Sequence, residues 1–209
     1  MSLVFLFFSQ STGVSRQDLA ANTSVFNNDL VSTTSAVNWK NKDFVPPLDQ
    51  SKERVTKKTF GMYITPATSL VQLERFQGYH TGVDFEIFPN ELTTDVAVRA
   101  VCSGTLKLKE TASGYGGVAV ANCTLDKKPI TVIYGHLKLA SIKIKEGESI
   151  IAGETIGILG ANKSVETDGE RKHLHLSFHL GADVNIKGYV SSPAELSNWL
   201  DPCQYVCNN

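Results

Sequence analysis

The sequence predicts a mainly β protein, with an antiparallel β-sheet core and one short C-terminal helix. Three observations carry this. Short runs rich in Val, Ile and Thr recur from about residue 60 to Leu180. Gly-, Asn- and Asp-containing turns separate them, and 16 glycines supply such turns. A single helix signature stands near the C-terminus, where Ser192-Pro193-Ala194-Glu195 offers an N-cap serine, proline at the first helical position and glutamate at the third.

The chain has 209 residues, enough for one substantial core. The formal net charge is −1 at pH 7, which gives no footprint for nucleic acid or anionic lipid. Met1-Ser2-Leu3-Val4-Phe5-Leu6-Phe7-Phe8 resembles the apolar part of a secretory signal. It is short, no Lys or Arg precedes it, and Ser9-Gln10-Ser11 is a poor cleavage site. Neither this segment nor any other is long enough to span a bilayer as a helix. Residues 9–55 are polar, carry Pro46-Pro47 and lack sustained periodicity. Residues 1–55 are therefore expected to be a leader or linker, and residues 56–209 the folded domain.

Within the domain, the Val-rich run Asp95–Cys102 reads as a strand entering a turn at Ser103-Gly104. A Gly-rich turn, Ser113-Gly114-Tyr115-Gly116, precedes a second strand, Gly117–Cys123. Folding back about that turn would set Cys102 opposite Cys123, as a cross-strand disulfide or as two buried thiols. The other cysteines, Cys203 and Cys207, are placed to staple the tail; two disulfides would imply an oxidising compartment. Ile130–Tyr134 reads as a strand running into His136. Leu196, Trp199 and Leu200 give the C-terminal helix its apolar stripe, which should stop before Asp201-Pro202.

All five histidines lie between His80 and His179. His80 and Asp84 are four apart, and the Gly-rich flanks place them on a loop entering a strand. His173-Leu174-His175-Leu176-Ser177-Phe178-His179 alternates as a strand does, so His173 and His175 share one face, with Cα atoms about 6.5–7 Å apart. That separation suits two ligands on one ion, or one ligand with a catalytic base beside it. His179 lies farther along the same face and reads as peripheral. Imidazole and carboxylate from separate segments are what a catalytic zinc site requires: three protein ligands and one open position.

His80-x-x-x-Asp84, Tyr134-Gly135-His136-Leu137 and His173-Leu174-His175 resemble, in order and rough spacing, the motifs of the lysostaphin-type (LytM-like) zinc metallopeptidases. Gly114-Tyr115-Gly116 is similar to the family's Gly-Tyr-Gly turn, and Lys145–Gly157 to its Gly-punctuated stretch before the His-x-His strand. The resemblance covers about residues 60–185 and implies the antiparallel core of that peptidase type. It implies that His80, Asp84 and His175 hold Zn2+, with His136 and His173 as unligated catalytic histidines. It further implies hydrolysis of peptidoglycan peptides by a protein that is secreted or in the cell envelope. The family's usual Phe-Glu after His-x-His is Leu176-Ser177 here, and Ala161–Lys172 is more charged than is usual. Two rival readings remain. One is a non-catalytic LytM-like regulator that binds other wall hydrolases, which should lack part of this histidine set. The other is a lipoyl- or biotinyl-type carrier, which would need a modified lysine; Lys163 lacks the flanking residues such a site uses.

Overall fold

The computed structural model describes residues 44–207. The apolar N-terminal stretch and most of the polar leader lie outside the described residues. In chain order the elements are α1 (Ser51–Arg54), β1 (Tyr63–Ile64), β2 (Gly78–His80), β3 (Gly82–Glu86), β4 (Ala97–Arg99), β5 (Gly104–Ala112), β6 (Gly116–Leu125), β7 (Lys128–Gly135), β8 (Ser149–Ile150), β9 (Thr155–Ile158), β10 (His173–Leu180), β11 (Tyr189–Val190), α2 (Pro193–Leu196), β12 (Trp199–Leu200) and α3 (Cys203–Val206). The fold is mostly antiparallel β, as its sequence predicts.

The main sheet runs β12-β10-β7-β6-β5-β8, and β3 also pairs with β10. β10 is its keystone. One side pairs with β7 over residues 175–180; β3 takes residues 173–177 and β12 takes Phe178 and His179. Two smaller sheets, β1-β2-β11 and β4-β9, flank it. The β6–β7 hairpin closes on Asp126-Lys127, both at positive φ (49° and 64°). Two such residues make the mirror-image turn that matches strand twist.

Alternation decides which face is buried against what. Leu174, Leu176 and Phe178 of β10 join Val132 and Tyr134 of β7, Ala119 and Ala121 of β6, and Val83 and Phe85 of β3 in the main core. Full burial of each large apolar side chain is worth about 1.5–3 kcal/mol. The opposite face of the same strands carries a smaller cluster of Tyr115, Val118, Val120, Ile133 and Trp199. His173, His175 and Ser177 belong to this second face by register.

Several expectations change in detail. Packing begins before Val55: Phe44, Val45 and Leu48 are buried, and Phe44 packs on the rings of Phe178 and Tyr205. The Asp95–Cys102 run does not pair with β6, because its middle forms β4 against β9. β5 is the true partner, and its register (Thr105 opposite Asn122) brings Cys102 to Cys123, with Cα atoms 6.2 Å apart in a disulfide. Cys203 and Cys207 form a second disulfide. The C-terminal helix keeps its cap, with Ser192 Oγ accepting from the Glu195 amide. It spans one turn only, because Trp199 and Leu200 are drawn into β12 beside β10.

Candidate active site

His80 ends β2 and Asp84 sits at the centre of β3, so both lie on strands rather than on a loop. β3 runs antiparallel to β10 with Asp84 directly opposite His175, and Gly135 of β7 opposes His175 on the other side. Glycine there has a steric reason: a Cβ at Gly135 would stand 2.4 Å from the Tyr115 ring, which lies against the His175 ring.

Three ligand atoms converge. His80 Nε2 lies 3.0 Å from His175 Nδ1 and 3.3 Å from Asp84 Oδ1, and His175 Nδ1 lies 3.1 Å from the same oxygen. Zinc–nitrogen bonds of 2.0–2.1 Å at tetrahedral angles require ligand atoms about 3.3 Å apart. The triangle fits that requirement. The other ring nitrogens support it. His80 Nδ1 lies 3.2 Å from the Thr59 carbonyl, which can only accept, so the proton belongs on Nδ1 and Nε2 presents its lone pair. His175 Nε2 is 2.6 Å from Ser177 Oγ, the residue that departs from the family pattern.

His173 Nδ1 donates to the Arg171 carbonyl (2.8 Å), and Nε2 faces Asp84 Oδ2 at 3.3 Å. The His136 ring lies beside it, with centroids 4.2 Å apart. His136 follows β7 at φ 64°, a left-handed conformation held by the Gly160 amide on its carbonyl and by the Leu137 amide on Gly117. The structure thus gathers His80, Asp84, His175, His173 and His136 around one cleft. His179 stays outside, against Trp199 and Asn185.

All five gathered side chains are buried. Burial alone would raise the Asp84 pKa, but His173, His80 and Arg171 together hold it well below the usual carboxylate range. Burial pushes the His175 pKa down to about 4, against the pull of Asp84. Burial, with His173 nearby, drives His136 well below an ordinary histidine. Both rings are therefore neutral at pH 7. His136 Nδ1 and Tyr115 Oη are buried with no hydrogen-bond partner among the described residues, and both residues line the cleft.

Sequence reasoning missed the polar support. Arg171 donates to Asp84 and Glu86 at once. Lys58 pairs with buried Glu74 and donates to Tyr189 Oη at 2.9 Å, fixing the Tyr189 ring 5.3 Å from that of His80. For Arg171 a signal existed: 171, 173, 175 and 177 share parity, so the charged residue faces the histidines. Nothing local marks Lys58, whose partners are far away in sequence.

The chain belongs to peptidase family M23, whose profile matches residues 78–186. Endolysin 2638A of Staphylococcus phage 2638A is 34% identical over 99 residues, which is 47% of this chain and 18% of that protein. The match therefore spans less than a fifth of the endolysin. The catalytic domain of the antimicrobial peptidase lysostaphin from Staphylococcus simulans aligns at TM-score 0.50 and 20% identity, over 76% of this chain and 97% of that one. A chain of the SpoIIQ–SpoIIIAH pore-forming complex aligns at TM-score 0.51 and 16% identity, over 79% and 91%. Likeness at these identities speaks for the fold alone. Since the same fold occurs in a pore-forming complex, activity must be argued from the site.

Proposed function

We propose that the protein is a zinc-dependent endopeptidase that hydrolyses peptide bonds of bacterial cell-wall peptidoglycan. The observation that carries this reading is the triangle of His80 Nε2, Asp84 Oδ1 and His175 Nδ1, with two further histidines beside it. In this reading those three residues hold the metal. A zinc ion held there supplies Lewis acidity, polarising the scissile carbonyl and making water more acidic. His173 Nε2 takes a proton from the attacking water and passes it to the leaving amine, while its Nδ1–H bond to the Arg171 carbonyl fixes the ring. His136, kept neutral by burial, donates an N–H to the oxyanion that forms on the substrate carbon. Phe76, Tyr115 and Tyr189 give the cleft aromatic walls.

Bacterial wall peptides are the proposed substrate because the sequence relative is named an endolysin and the structural neighbour an antimicrobial peptidase. Two disulfides suit work in an oxidising compartment, outside the cytoplasm. Zinc-loaded protein should cleave purified wall peptides, with glycine bridges or direct cross-links, as read by mass spectrometry. His173→Ala should keep its zinc and lose about 10²–10⁴-fold in rate. Zinc-loaded protein that leaves both kinds of peptide intact would end this reading.

A further inference from the structure

The two oxygens of Asp84 are divided between different partners. Oδ1 faces His80 Nε2 and His175 Nδ1. Oδ2 accepts from Arg171 Nη2 at 2.8 Å and lies near His173 Nε2. Arg171 is itself anchored, since its Nε donates to both oxygens of Glu86 (2.9 and 3.0 Å), and Lys57 holds Glu86 from the other side. Its side chain is only 14% exposed. A guanidinium fixed in this way presents a planar fork that a lysine cannot reproduce.

A carboxylate beside a dication can bind through one oxygen or through both. If both oxygens bound, Asp84 would fill part of the open position and crowd His173. From this division we propose that Arg171 is a positioning residue of the metal centre: it occupies Oδ2, so Asp84 offers the metal Oδ1 alone and the site stays four-coordinate. The proposal rests on the zinc reading above. It accounts for why a chain with the family's histidines places an arginine two residues before the His-x-His pair, on the same face.

The test uses the whole chain loaded with Co2+, whose visible absorption reports coordination number, alongside zinc affinity by chelator competition. Wild type should show the strong bands of four-coordinate cobalt. Arg171→Ala should still bind about one equivalent, with absorption falling by roughly half or more as Asp84 takes up both positions. Arg171→Lys should resemble Arg171→Ala, because it restores the charge and not the fork. Glu86→Gln removes the anchor while leaving Arg171 in place; it should shift the bands in the same direction by less, and it serves as the test if Arg171→Ala does not fold. Wild-type bands in Arg171→Ala, or in Glu86→Gln where that variant carries the test, would overturn the role of Arg171 while leaving the metal centre standing. Full recovery by Arg171→Lys would also overturn it, in favour of a charge effect. A wild-type chain that takes up neither cobalt nor zinc would overturn the metal centre and this proposal together.

Discussion

Adding one methyl group at Gly82 should uncouple metal binding from folding. Gly82 lies between His80 and Asp84 and pairs with Ser177 of β10. A Cβ there would stand 2.3 Å from the Leu176 carbonyl oxygen, 2.3 Å from Ser177 Oγ and 2.9 Å from the Leu176 carbonyl carbon. The Ser177 hydroxyl can swing away, but the Leu176 carbonyl belongs to the strand backbone. Restoring ordinary contact at about 3.4 Å therefore pushes β3 away from β10 by about 1 Å. Asp84 moves with β3, while His175 stays on β10. Zinc–ligand distances tolerate about 0.2 Å, so the displacement exceeds the tolerance several-fold. Gly82→Ala should lose about 1–3 kcal/mol of stability through overpacking. Zinc affinity should drop by at least about tenfold. Chelator competition measures the affinity, and thermal unfolding of the chelated protein measures the stability. Gly147→Ala is the control: its φ is 87° and nothing lies within 4 Å of an added Cβ, so it should strain the backbone and leave zinc binding unchanged. A folded Gly82→Ala protein with wild-type zinc affinity would refute the claim that β3–β10 spacing sets the site.

Acid should destabilise the metal-free protein early. Native His175 resists protonation down to about 4, whereas the unfolded chain protonates near 6.5, so stability falls as pH drops through that window. His175 alone should cost the chelated protein about 2 kcal/mol between pH 7 and pH 5 in urea unfolding, and His136, also held below its ordinary value, adds to that loss; a flat profile there would count against the burial argument. Asp84 acts below that range: its stabilisation is present above about pH 4 and is lost as pH falls through its depressed native value. Removing the Cys102–Cys123 link by Cys→Ala at both positions frees a loop of 21 residues' separation and should cost about 3 kcal/mol, seen as a lower Tm; an unchanged Tm would show that β5–β6 pairing alone holds that corner. Lys58→Ala leaves Glu74 buried without its cation and should cost about 3–5 kcal/mol, whereas Lys58→Ala with Glu74→Gln should recover much of the loss; equal losses would mean that the pair does not act as a unit.

The legible parts of the sequence were those governed by short periods. His173-Leu174-His175 announced a strand with two faces because alternation is a local property, and the structure puts Leu174 in the core and both histidines opposite. The Ser192 cap was readable for the same reason. Trp199 and Leu200 were not, since their spacing suits a helix while β10 has an open edge that recruits them as a strand. Phe44, Val45 and Leu48 sit in a polar stretch whose composition hides them; the packing of Phe44 on Phe178, the hydrogen bond from the Val45 amide to the Val101 carbonyl and the burial of Leu48 reveal their place. The Cys102–Cys123 proximity was reached through the wrong strand pairing, because the turn was visible and the strand between the cysteine and that turn was not credited. Arg171 shares parity with the histidines but stands in a charged stretch, and nothing local marks Lys58. Their burial depends on Glu86 and Glu74, and no local pattern joins either cation to its distant carboxylate.

β10 carries core and chemistry on alternate residues, and that places a constraint on how the protein can fail. A slip of one residue in its pairing would turn Leu174, Leu176 and Phe178 out of the core and His173, His175 and Ser177 into it. Such a chain would forfeit its largest apolar burial and bury imidazoles without partners at the same time. A miswired copy therefore cannot persist as a compact impostor. For this protein, surviving as a folded molecule already certifies that the histidines face the right way.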